Sequence, residues 1–189
     1  MHLLPVRRRK LLGLAAAAAL GAALPAGSAR AQGVELSTLS ARRAEGAIQL
    51  EFAVRLTLPR AVEEALTRGV PVYFTAEAAL LRSRWYWRDE RVSRVSRTWR
   101  IAFQPLTSTW RVGLAGFNQS YNSLAEALAA ASRAAGWKLA DLAQIDPDKS
   151  YYVEFEYRLD TTQLPSPMQF GLVTQGDWAV GASRTVRVE

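Results

Sequence analysis

The amino-acid sequence predicts a mainly β domain: an antiparallel β-sandwich, of which the immunoglobulin-like arrangement is one form, with one or two short helices in its connections. Three observations predict it. Residues 48–58 and 151–159 alternate apolar and polar side chains at the period of a half-buried strand. Further strand-like segments follow one another at hairpin spacing, separated by Gly, Pro and Asp turns. Only two stretches carry the start and stop signals of a helix.

Residues 34–39 read as a weaker strand, and Glu45-Gly46 turns the chain into the first strong one. There Ile48, Leu50, Phe52, Val54, Leu56 and Leu58 share a face opposite Gln49, Glu51, Arg55 and Thr57. Pro59 at its start and Gly69 just past its end bound a short helix over 60–68. Residues 70–82 are strand-like, 85–90 turn, and 92–103 run back, so 81–103 read as a long hairpin. Its returning arm sets Val95, Trp99, Ile101 and Phe103 against Ser96, Thr98 and Arg100. After Pro105, residues 110–114 form one more short strand.

Ser123 and Glu126 make a capping box, in which the hydroxyl accepts from the Glu126 amide and the carboxylate reaches back to the Ser123 amide. Leu124, Ala127, Leu128 and Ala131 continue at helical spacing, Gly136 ends the run, and 139–145 read as a further helical turn. A turn at 146–149 leads into the strand 151–159, with Tyr151, Val153, Phe155, Tyr157 and Leu159 inward and Glu154, Glu156 and Arg158 outward. Pro165 and Pro167 make a loop, and 178–188 end with weaker strand character.

Residues 1–31 are expected to be a cleaved signal peptide. Arg7, Arg8, Arg9 and Lys10 give the basic start, 11–24 are uncharged Leu, Ala and Gly, Pro25 breaks the run, and Ala29-Arg30-Ala31 is a small-x-small cleavage site. The uncharged run is shorter than the about 20 residues a spanning helix needs. General secretion fits this start, and so does the twin-arginine route. The expectation is a single periplasmic domain over 32–189. The leader holds five of the 24 basic residues, none of the 17 acids and the sole histidine, so beyond it 19 basic groups face 17 acids and the net charge is +2. The isoelectric point near 10.2 therefore belongs largely to the leader and gives no ground for nucleic-acid binding.

With no cysteine in the chain and no histidine past residue 31, a Ser-His-Asp triad and a Cys nucleophile are excluded. So is imidazole or thiolate ligation of zinc, copper, haem or an iron–sulfur cluster. Lys138 and Lys149, the lysines left, sit in polar, turn-like surroundings that do not suit a Ser–Lys dyad. There is no Gly-rich phosphate loop. Asp146-x-Asp148-x-Ser150 fails as a calcium loop, since Tyr151 and Tyr157 replace its glycine and its final acid. No cofactor and no metal are expected. Carboxylate pairs remain: Glu154 and Glu156 lie about 6.6 Å apart along one strand face, a spacing that suits glycoside hydrolysis. Glu-x-Glu-x-Arg is also the ordinary polar face of a half-buried strand.

Between Arg82 and Arg111 eight arginines face only Asp89 and Glu90, a local +6 that leaves −4 for the rest of the exported chain. Within it lies Arg84-Trp85-Tyr86-Trp87-Arg88-Asp89-Glu90, residue types enriched in interface hot spots. A solvated strand face accounts for the arginines, and closure of the core accounts for the tryptophans, equally simply. The binding candidates are Arg84, Trp85, Trp87, Arg97 and Arg100, with Asp160 and Gln163 in the loop after residue 159. Turn capping explains Asp160 as well as binding does.

The chain resembles the exported proteobacterial family designated domain of unknown function 4390. The resemblance runs through Arg84-Trp85-Tyr86-Trp87 with Asp89-Glu90, Trp99-Arg100-Ile101, Trp110-Arg111-Val112, and Gln119-Ser120-Tyr121 leading into Leu124 and Glu126-Ala127-Leu128. It is most specific in Leu159-Asp160-Thr161-Thr162-Gln163-Leu164-Pro165 with Pro167 and Gln169, followed by Asp177-Trp178. The family has no established activity; the resemblance implies an accessory role beside a membrane sensor histidine kinase. The expected function is a non-enzymatic periplasmic binding protein whose partner is a protein, the sensor's external domain, or an anionic envelope surface. The alternatives are a carboxylate-dependent hydrolase of an envelope glycan and a structural or chaperone-like envelope protein.

Overall fold

The computed structural model describes residues 33–164 and 178–189. The expected leader and the loop with Pro165 and Pro167 lie outside them. The described elements are β1 (Val34–Ala44), β2 (Ala47–Leu56), α1 (Arg60–Thr67), β3 (Val72–Arg82), β4 (Glu90–Gln104), β5 (Thr109–Leu114), β6 (Phe117–Tyr121), α2 (Leu124–Ala131), β7 (Arg133–Asp141), β8 (Tyr151–Leu159) and β9 (Gly181–Arg187). Two 3-10 turns, Leu142–Gln144 and Thr161–Gln163, follow β7 and β8.

The strands form two antiparallel sheets, one ordered β1-β2-β7 and the other β6-β5-β4-β3-β8-β9. They pack face to face around one core. Phe52 on β2 sits at its centre, with ring centroids 4.8 Å from Phe155, 6.0 Å from Tyr157, 6.1 Å from Trp99 and 6.2 Å from Trp137. These rings come from both sheets, so the apolar face of the alternating strands is what joins them. The division into three and six strands, with β3 to β6 an unbroken meander, differs from the four-plus-three Greek key of an immunoglobulin domain.

The smaller sheet does not cover all of the larger. α2 packs on β4, β5 and β6, α1 packs on β4, and Val62, Leu66, Ala127 and Ala131 join the common core. The tip of β9 links the sheets: Ala41 forms a parallel bridge with Val188, and Glu189 donates to the Ala41 carbonyl at 2.9 Å. No helix among the described residues is long and apolar enough to cross a membrane.

Two expectations need correction. The helix from Ser123 stops at Ala131 instead of running to Gly136, and 133–141 is a strand, β7, where a helical turn was expected from 139. The Ser132 carbonyl accepts from the Val54 amide at 2.8 Å, which draws the chain onto the open edge of β2. β7 then pairs from Arg133 opposite Ala53 to Asp141 opposite Ala47. Alanine favours helix, but edge pairing and burial of Trp137 and Leu139 outweigh that preference. The second correction is β6, for which no strand was expected. Its residues are mostly exposed and lack the alternation that marks a half-buried strand.

Candidate functional site

β3 and β4 pair from Val72 opposite Ile101 to Arg82 opposite Glu90, and the loop between them presents Trp85, Tyr86 and Trp87. These are 94%, 68% and 72% exposed. The tryptophans therefore do not close the core. Trp85 and Tyr86 meet edge to face, with centroids 5.0 Å apart. Acids placed behind the rings hold the loop. Asp89 accepts from the Arg84 amide at 3.0 Å and from the Tyr152 hydroxyl of β8 at 2.5 Å. Glu90 pairs with both Arg82 and Arg84.

The electrostatics follow these contacts. The hydrogen bonds from Tyr152 and the Arg84 amide hold Asp89 below the usual carboxylate range. The same Tyr152 hydrogen bond, with burial and the Asp89 charge behind it, pushes the Tyr152 hydroxyl up to about 12. The Arg84 hydrogen bond, helped by the Arg82 charge, likewise lowers Glu90. Among the described residues Arg88 and Arg91 form no ion pair. The tip is thus an aromatic triplet followed directly by the exposed Arg88.

A bulge aims the arginines. Leu80 faces Ser93 but Leu81 faces Arg91, so one extra residue lies in β4. Strict alternation would put Arg91 on the same face as Arg97; the bulge sends it to the outer face, beside Arg94. There the two line a shallow groove of about 630 Å³ with Glu77, Glu154, Glu156 and Ser183. Glu77 pairs with Arg94. Arg158 stands 3.8 Å from Glu156.

The other candidates lie elsewhere. Arg97 is on the inner face, its guanidinium 5.0 Å over the Trp137 ring, and burial lowers its pKa. Arg100 is exposed and faces Tyr73 and Gly113 across the ladder, on the outer face. Asp160 and Gln163 follow β8, where the Asp160 amide donates to the Tyr73 carbonyl near the start of β3. That is the opposite end of the sheet from the tip, roughly 30 Å away at the rise of a strand. The structure brings together Arg84, Trp85 and Trp87, and separates them from Arg97, Arg100, Asp160 and Gln163.

Comparison with known families matches residues 31–188 to the model described as Domain of unknown function (DUF4390). The chain belongs to this family. No curated protein and no solved structure matches it. In this DUF4390 domain the residues that carried the sequence resemblance divide by role. Trp99, Trp110, Val112, Ala127, Leu159, Leu164 and Trp178 are core, Asp160 caps a turn, and Trp85, Tyr86 and Trp87 stand in solvent, as do Arg100, Gln119, Ser120 and Glu126. Tyr152, which holds the tip through Asp89, was not among the sequence candidates. Its place on the polar side of an alternating strand was the one available signal, because the residue it meets lies 63 positions away.

Proposed function

We propose that this DUF4390 domain is a non-enzymatic periplasmic binding protein that docks through the tip of the β3–β4 hairpin onto a protein, the external domain of a membrane sensor kinase. One observation carries the reading: three consecutive aromatic side chains stand in solvent on a loop held by four polar contacts. Ordering the loop beforehand lowers the entropic cost of binding, and Trp, Tyr and Arg are the residues that dominate interface energies.

Trp85→Ala combined with Trp87→Ala is expected to reduce capture of the sensor's external domain by about 30-fold or more, since a single hot-spot truncation costs on the order of 2 kcal/mol. Its unfolding midpoint should match the unsubstituted chain, because neither ring is buried. Equal capture by both proteins defeats the proposal. A carboxylate-dependent hydrolase is the second reading, supported by the groove that gathers Glu77, Glu154 and Glu156. The same preparations are expected to release no reducing ends from envelope glycan. Release that disappears in Glu154→Gln would move the assignment to that reading.

A further inference from the structure

We propose that the chain pairs with a second copy of itself, edge to edge through β6, doubling the six-stranded sheet. β6 ends that sheet, and no described residue pairs with its outer side. The other end differs, because beyond β9 the chain crosses to β1. Apart from its shortness, at five residues, β6 lacks the charge, proline and bulge that keep an edge from pairing. Phe117-Asn118-Gln119-Ser120-Tyr121 contains no charge and no proline, and it runs against β5 without a bulge. Phe117 is 83% exposed.

The backbone phase selects a register. Ala115 and Gly116 form a two-residue turn with φ of +48° and +87°, and such a turn closes on a hydrogen-bonded pair, here Leu114 with Phe117. Alternation along the ladder then turns the N–H and C=O groups of Asn118 and Ser120 outward. An antiparallel copy centred on Gln119 sets Asn118 against the partner's Ser120, so outward groups meet outward groups in both directions.

The side chains fit the same register. Phe117 falls opposite the partner's Tyr121, an aromatic cross-strand pair. Asn118 and the partner's Ser120 are polar neighbours on the other face. Gln119 meets its own copy on the two-fold axis, as an isologous contact requires. No like charges are set opposite each other: Arg111, the nearest cation in the ladder, lies one strand in from the edge, opposite Ser120. The chemistry of the segment is close to palindromic, which favours a second copy over an unrelated strand. So short an edge is a small interface, and the dimer is accordingly concentration-dependent.

The chain has no cysteine, so a single introduced thiol forms disulfides only between copies. Residues facing each other in a non-hydrogen-bonded pair have Cα atoms about 4.5 Å apart, within disulfide reach. Phe117→Cys would stand from its own copy by about 13 Å along the strand. Under mild oxidation Gln119→Cys is expected to crosslink on the order of tenfold faster than Phe117→Cys, from its higher effective concentration. Sedimentation equilibrium of the purified chain should read a mass rising from one chain to two with concentration. Gln119→Lys should stay at one chain, and mixing it with Gln119→Glu should restore two. Equal crosslinking rates at the two positions, or a single-chain mass throughout, overturns the proposal and leaves the edge to an extended segment of another protein.

Discussion

Asp160 is a buried acid whose two oxygens both accept hydrogen bonds from its own turn. One oxygen accepts from the Thr162 amide at 3.1 Å and the Thr162 hydroxyl at 2.6 Å, and the other from the Gln163 side chain at 2.8 Å. Burial works to raise its pKa, but these hydrogen bonds and the Arg158 charge outweigh burial and hold the carboxyl below its ordinary range. Asp160 and Gln163, read as binding candidates in the sequence, are thus hydrogen-bonded to each other within one turn. A carboxyl whose pKa is depressed by folding stabilises the native state fully above its unfolded value of about 3.9, and that stabilisation is lost as pH falls through the lower folded value. Asp160→Ala is expected to cost about 1.5–3 kcal/mol at pH 7, the range for a hydrogen bond to a charged group. In urea titrations from pH 7 down to pH 2.5 the gap between the two proteins should narrow below about pH 4. A gap independent of pH would mean that the charge contributes nothing and that only the turn geometry matters.

Whole elements show where local chemistry speaks clearly and where it is overruled. Ser123 accepts from the Glu126 amide at 3.2 Å, as the capping-box spacing implies, while the Glu126 carboxylate accepts from the Asn122 amide at 3.1 Å in place of the Ser123 amide. Ser123→Ala should therefore destabilise the domain by about 1 kcal/mol, the typical cost of a lost N-cap, read as a lower urea midpoint at unchanged slope. No shift would mean that α2 is held by Ala127 and Ala131 alone. The strands legible in the sequence, β2 and β8, are those whose two faces meet different surroundings, core on one side and water on the other. β7 was illegible because its alanines suit a helix and its partner edge on β2 is distant in sequence. β6 was illegible because all but one of its residues face solvent. The hairpin was legible as a hairpin, and its tip as a cluster of aromatic residues and arginine. The face each arginine takes was not, since a bulge leaves no mark in the pattern of alternation.

Across the molecule the +6 of the hairpin segment is divided, not concentrated. Arg82 and Arg84 are paired with Glu90 and Arg94 with Glu77, Arg97 lies over Trp137, and Arg91 and Arg100 reach the outer face. Long-range attraction for an anionic surface is reduced accordingly, and short-range contact at the tip carries the binding proposed. That tip can be rigid only if the sheet behind it is, and the sheets are tied to each other in two ways: by the aromatic core around Phe52 and by the chain end. Beyond β9 the Val188 amide donates to the Tyr151 carbonyl on β8 at 3.0 Å, the Glu189 amide to Ala41 on β1 at 2.9 Å, and the Arg43 amide to Glu189 at 3.0 Å. The two bonds of Glu189 join this sheet to β1 beside the core residues Ala41 and Tyr151, and Tyr151 opens the strand whose next residue, Tyr152, holds Asp89. Removing Val188 and Glu189 is expected to lower stability by about 1.5–4.5 kcal/mol, the sum for three net backbone bonds, and to speed amide exchange at Ala41, Arg43 and Tyr152 ahead of exchange in the core of β3. Because the tip depends on β8 through one hydroxyl, the shortened chain should also lose affinity in the capture assay although every tip residue is intact. Unchanged exchange at β1 and β8 would show that the core alone holds the sheets together and that the chain end is an ornament to it.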